Sequence, residues 1–114
     1  MAEYDDFSDV IEDGGIMLPP VHPGDVLKTE FLDALNMPEE ALAQALRIPE
    51  ETVYGLVRWR RPLTTDLAMR LARFFGTSAE LWLGLQMGYD LDVSRRPPAS
   101  MIEAEITPFS ALAA

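Results

Sequence analysis

Between His22 and Asp92 the apolar positions recur at helical spacing in five successive stretches, each closed by a turn signal. The first stretch covers residues 23–35, with Leu27, Phe31, Ala34 and Leu35 on one face, and Asn36-Met37-Pro38 ends it. Pro38 opens a second helix over 39–46, whose Leu42, Ala45 and Leu46 share a face while Ala41 and Ala43 are small enough for a neighbour to approach closely. Ile48-Pro49 marks a turn, and a third helix runs from there to Val57 or Arg58 with Val53, Leu56 and Val57 inward. Two helices of this length joined by so short a turn form a helix-turn-helix pattern.

The fourth helix, over 65–75, carries the clearest period, through Leu67, Ala68, Leu71, Ala72 and Phe75, and Gly76 is suited to its left-handed cap. Thr77-Ser78-Ala79-Glu80 fits a capping box for a fifth helix over 78–89. Leu81, Trp82, Leu85 and Tyr89 can serve the core, which leaves Leu83, Met87 and Leu91 facing elsewhere. A helix apolar on two sides needs a second cover, either another copy of the chain or the segment beyond Val93. The expected fold class is therefore all-α, a five-helix helix-turn-helix domain over 21–92 with an N-terminal acidic arm (1–20) and a C-terminal extension (93–114), in which 103–107 could pair as a strand.

Length and charge narrow the picture. A chain of 114 residues, 48% of them hydrophobic, can bury one core but not two. It holds no apolar run long enough to span a membrane and no secretory signal pattern, so a cytoplasmic protein is expected. The net charge of -10 would oppose nucleic acid if it were spread evenly. It is not: residues 38–76 hold six arginines against five acids, while the first thirteen residues hold Glu3, Asp5, Asp6, Asp9, Glu12 and Asp13 and no base. Such an arm complements either water or a basic protein.

Catalytic chemistry is poorly provided for. His22, the single histidine, precedes a proline and reads as a helix N-cap or turn residue; no nucleophile, phosphate loop, metal-ligand spacing or cofactor motif accompanies it. No cofactor, metal or catalytic residue is assigned. For nucleic acid, the start of the second helix of the motif would face bases, which here means Glu50, Glu51, Thr52 and Gly55, with Glu39 at the start of the preceding helix. Glutamate reads cytosine alone and repels phosphates. Arg58, Arg60 and Arg61 follow the helix directly, placed either for phosphates or for surface pairs with Glu50, Glu51 or Asp66, and Trp59 among them could pack on a sugar or cover the core.

His22-Pro23-Gly24-Asp25-Val26-Leu27, Ala41-Leu42-Ala43, the run Arg70-Leu71-Ala72-Arg73-Phe74-Phe75-Gly76-Thr77-Ser78, Trp82-Leu83 and Leu85-Gln86 together resemble the HigA antitoxin family, within the Cro/repressor-like (XRE) helix-turn-helix class. The resemblance covers residues 21–91. It implies a five-helix, lambda-repressor-like domain, homodimeric through its C-terminal helical region with Leu83, Met87 and Leu91 as interface. It also implies palindromic double-stranded operator DNA and a small basic HigB-like toxin, similar to RelE ribonucleases, as partners. The arm lies outside the resemblance; from its own composition it is expected to meet that toxin through Phe7, Val10 and Ile11, apolar anchors in a charged segment. The chain departs from the family pattern where Arg47 replaces a glycine, Arg58-Trp59 an Asn-Gly pair, Pro38 a serine, and Glu50 and Glu51 polar or basic residues. Without the Asn-Gly pair the third helix is expected to continue through Arg58 or to leave by another route. A protein-interaction module without DNA recognition, and a repressor without a toxin, are the alternatives.

Overall fold

The computed structural model describes residues 20–96 and 101–110; the acidic arm, with Phe7, Val10 and Ile11, lies outside them. Six helices and no strand occur among the described residues. Helix α1 is continuous through three segments, Pro23–Val26, a π-helical turn Leu27–Leu32, and Asp33–Leu35. Then come α2 (Glu39–Leu46), α3 (Glu50–Val57), α4 (Thr65–Phe75), α5 (Ala79–Arg95) and the short α6 (Ile102–Glu105).

The π turn corrects the expected face of α1. Asp33 N–H reaches back five residues to the Lys28 carbonyl, so Leu27 and Leu32 come to lie on the same side and are buried. Ala34 and Leu35, expected inward, are exposed. On α2 the buried set is Leu42, Ala43 and Leu46 instead of one including Ala45. Val53 and Leu56 of α3, Leu67, Ala68 and Leu71 of α4, and Trp82 of α5 close the core, with Phe31 and Phe75 against its edge.

Four helices end in the same way. Asn36, Arg47, Trp59 and Gly76 each take positive φ, between 53° and 76°. The next residue's N–H then bonds back over five positions, Met37 to Leu32, Ile48 to Ala43, Arg60 to Gly55 and Thr77 to Ala72, at 2.7–3.1 Å. This closure satisfies carbonyls that a helix end leaves free. Only one of the four positions is a glycine.

Four expectations for the C-terminal half are corrected. Ser78, not Thr77, caps α5 through the Leu81 N–H, because the Thr77 hydroxyl accepts from the Trp82 indole at 2.8 Å. The helix continues beyond Tyr89 to Arg95, and residues 102–105 are helical where a strand was considered. Leu81, expected in the core, is exposed; Gln86 is buried in its place and accepts from the Leu63 N–H at 2.6 Å.

Candidate nucleic-acid interface

The helix-turn-helix is α2, the turn at Arg47–Pro49, and α3. Neither helix has a side-chain cap, since prolines 38 and 49 occupy both N-cap positions. The carboxylates of Glu39, Glu40, Glu50 and Glu51 lie in the two first turns, where the positive end of each helix dipole favours them. The field of three of them is visible at Tyr54, whose phenol pKa is raised above its ordinary value chiefly by Glu50, then by partial desolvation and by Glu40 and Glu39.

The expected base-facing and phosphate-facing residues do not behave as two separate sets. Arg58 Nη1 donates to Glu39 Oε1 at 2.9 Å and to the Tyr54 carbonyl at 3.3 Å, while its guanidinium lies 4.8 Å from the Tyr54 ring centre. The pair ties the exit of α3 to the start of α2. Glu39 is thereby engaged and mostly covered. Gly55, expected to face bases, is instead buried beneath Arg61: a Cβ there would lie 2.6 Å from Arg61 Cδ. Glu50 and Glu51 are exposed, Thr52 is half-buried, and Arg60 and Arg61 are exposed without an ion-pair partner among the described residues. A shallow groove lined by Glu51, Tyr54, Gly55, Arg58, Arg60 and Arg61 runs along this side.

The segment 58–61 that carries the arginines is held by Trp59. Despite the loss of an Asn-Gly pair, α3 stops at Val57 and Trp59 itself takes the left-handed conformation, φ 64°. That conformation is costly for a residue with a Cβ, about 1–2 kcal/mol, and the indole's contacts offset it. Its Nε1 donates to Asp25 Oδ1 at 2.9 Å, its face stacks on His22 at 5.2 Å and 11°, and Tyr89 meets it edge-on at 5.7 Å. His22 is buried, caps α1 by accepting from Gly24 N–H through Nδ1, and packs edge-on against Tyr89 at 4.6 Å. Burial lowers its pKa, against the opposing pull of Asp25 and Asp90. Gly24 completes the junction, since a Cβ would fall 2.0 Å from the Leu56 carbonyl oxygen. The His-Pro-Gly segment is therefore a seat for the end of α3. Sequence reasoning found each of these residues but not their assembly, which joins positions 34 residues apart.

The expected second apolar face of α5 is only partly as anticipated. Met87 is 61% and Leu91 42% exposed, whereas Leu83 packs against the core from a half-buried position. Residues 101–110 are exposed throughout and do not cover this face. Among the described residues no helix is long and apolar enough to cross a membrane, and no cluster of three or more His, Cys, Asp or Glu side chains could hold a metal ion.

No protein-family model matches the chain. It is 37% identical over 84 residues to virulence-associated protein I of Dichelobacter nodosus, covering 74% of this chain and 78% of the relative. It is 38% identical over 72 residues to antitoxin HigA-1 of Vibrio cholerae, covering 63% of this chain and 68% of the relative. Among solved structures, antitoxin HigA of Pseudomonas aeruginosa with the higBA promoter superposes with a TM-score of 0.75 at 41% identity, covering 79% of this chain and 98% of that one. With the helix-turn-helix in place and these identities extending over most of each relative, the chain belongs to the HigA family of helix-turn-helix antitoxins.

Proposed function

We propose that this chain is a cytoplasmic antitoxin that binds its own promoter as a homodimer and neutralises a small basic HigB-like ribonuclease, acting by binding and not by catalysis. The observation that carries the reading is the 41% identity over 98% of a HigA antitoxin whose structure was determined with promoter DNA. In this reading the first turn of α3 enters the major groove, with Glu51 and Thr52 toward base edges and Glu51 accepting from a cytosine amino group. Arg60 and Arg61 contact phosphates. Arg58, bound to Glu39, fixes the angle between the two helices of the motif instead. Met87 and Leu91, with Leu83 at the margin, form the dimer face, so that two copies of α3 reach successive major grooves about 34 Å apart. The acids of the N-terminal arm attract the toxin, with Phe7, Val10 and Ile11 as anchors.

Fluorescence anisotropy with a duplex from the upstream region, against a scrambled duplex at two salt concentrations, tests the DNA reading. Specific binding that weakens with salt is expected, with Arg60→Ala flattening the slope by about one unit. Unchanged affinity and slope in that variant would remove the phosphate assignment. A second reading, a protein-interaction module without DNA recognition, is favoured by the exposure of Glu50 and Glu51 at the start of α3. Equal affinity for both duplexes at low salt would select it.

A further inference from the structure

On the side of the domain formed by the end of α2 and the length of α4 lies an open groove of about 570 Å³, lined in part by Arg47, Asp66, Met69, Arg70, Arg73 and Phe74. Arg70 has structural employment: it donates to Asp66 at 2.7 Å and to the Leu46 carbonyl at the end of α2 at 2.8 Å. Arg47 and Arg73 are exposed and have no ion-pair or hydrogen-bonding side-chain partner among the described residues. The same groove is lined by Met69, 60% exposed, and Phe74, 41% exposed. Arg47 occupies its place at φ 60°, where the backbone would favour glycine, so nothing in the turn itself calls for a cation there.

We infer that this groove is the docking site of the chain's own N-terminal acidic segment, residues 3–13. The groove's chemistry, two unpaired guanidiniums around an exposed thioether and an aromatic ring, is the complement of a segment that alternates acids with Phe7, Val10 and Ile11. A phosphate backbone would satisfy the arginines but not Met69 and Phe74, and a basic protein would be repelled. The fourteen residues from Phe7 to Pro20 span up to about 45 Å when extended, more than the two shorter molecular dimensions of 27 and 25 Å and less than the long one of 58 Å. The other exposed segment with acids and apolar residues, 102–109, carries only Glu103 and Glu105 and is exposed throughout. Docking does not rest on the DNA or toxin readings, but it engages the same acids and the same Phe7, Val10 and Ile11 as the toxin reading, so a basic partner would compete with the groove for them.

The chain has no cysteine, so Ser8→Cys gives a single attachment point for a nitroxide spin label on the full-length protein. Amide signals of Arg47, Met69, Arg73 and Phe74 should lose most of their intensity at low salt. They should recover at about 1 M salt, where the screening length falls to roughly 3 Å. Arg73→Glu in the labelled chain should restore these signals severalfold while leaving the rest of the amide spectrum in place, since Arg73 is exposed. Phe7→Ser should weaken the effect without touching the groove. Losses strongest elsewhere, for instance around Met87, or losses unaltered by Arg73→Glu, would overturn the assignment.

Discussion

Trp59→Gly isolates what the indole does from what its backbone costs. The substitution removes the bond to Asp25, the stack on His22 and the edge contact with Tyr89, each worth about 1 kcal/mol for a partly exposed ring. It also relieves a left-handed residue, which returns about 1 kcal/mol. A net loss of about 2 kcal/mol is expected, or roughly 10 °C in Tm for a domain of this size. Trp59→Ala loses the same contacts and keeps the strained φ of 64°, so it should be less stable than the glycine variant by about 1 kcal/mol. That order is the reverse of what helix and loop positions of ordinary φ show, where glycine is the weaker residue. Urea unfolding of wild type and both variants, followed by circular dichroism at one fixed protomer concentration, reads all three values. An alanine variant as stable as the glycine variant, or either as stable as wild type, would refute the account of Trp59 as a strained residue held down by His22, Asp25 and Tyr89.

Gly24→Ala should prevent stable folding, because its Cβ would strike the backbone oxygen of Leu56, whereas Gly55→Ala, which meets only the flexible Arg61 side chain, should stay within about 1 kcal/mol of wild type; thermal melts of the two separate the cases. Gln86→Leu leaves the buried Leu63 N–H without its acceptor and should cost about 1–3 kcal/mol in urea unfolding; a neutral effect would mean that another acceptor reaches Leu63. The folded pKa of His22 lies below its ordinary 6.5, so its contribution to stability is complete above pH 6.5 and is lost as pH falls from there through the folded value. His22→Asn, which keeps an acceptor for the Gly24 N–H, should remove this part of the pH dependence below pH 6.5, and a slope unchanged in that variant would assign it to carboxylates.

What the sequence made legible follows from how local each cause is. The boundaries of α2, α3 and α4 could be read because apolar spacing, proline and Gly76 act within a few residues of where they stand. The inward face of α1 could not, since a single extra residue in the π turn replaces Ala34 and Leu35 with Leu32, and nothing in that stretch announces it. The left-handed exit after α3, unlike its last residue, was not foreseen, for a related reason. Absence of Asn-Gly argues against a left-handed exit if the backbone decides alone. Here the decision is tertiary: with Trp59 at positive φ its indole is received by Asp25, His22 and Tyr89, from α1, its cap and α5, and the Arg60 N–H reaches Gly55 as its counterparts do after Asn36, Arg47 and Gly76. The same long-range wiring rearranged the candidate interface. Glu39 and Arg58 were assigned to bases and to phosphates from position alone, yet they neutralise one another across the motif, and Gly55 is the floor on which Arg61 rests. The residues left free to meet a ligand, Glu51, Arg60 and Arg61 on one side and Arg47 and Arg73 on another, become identifiable only once those that hold the fold together have been subtracted.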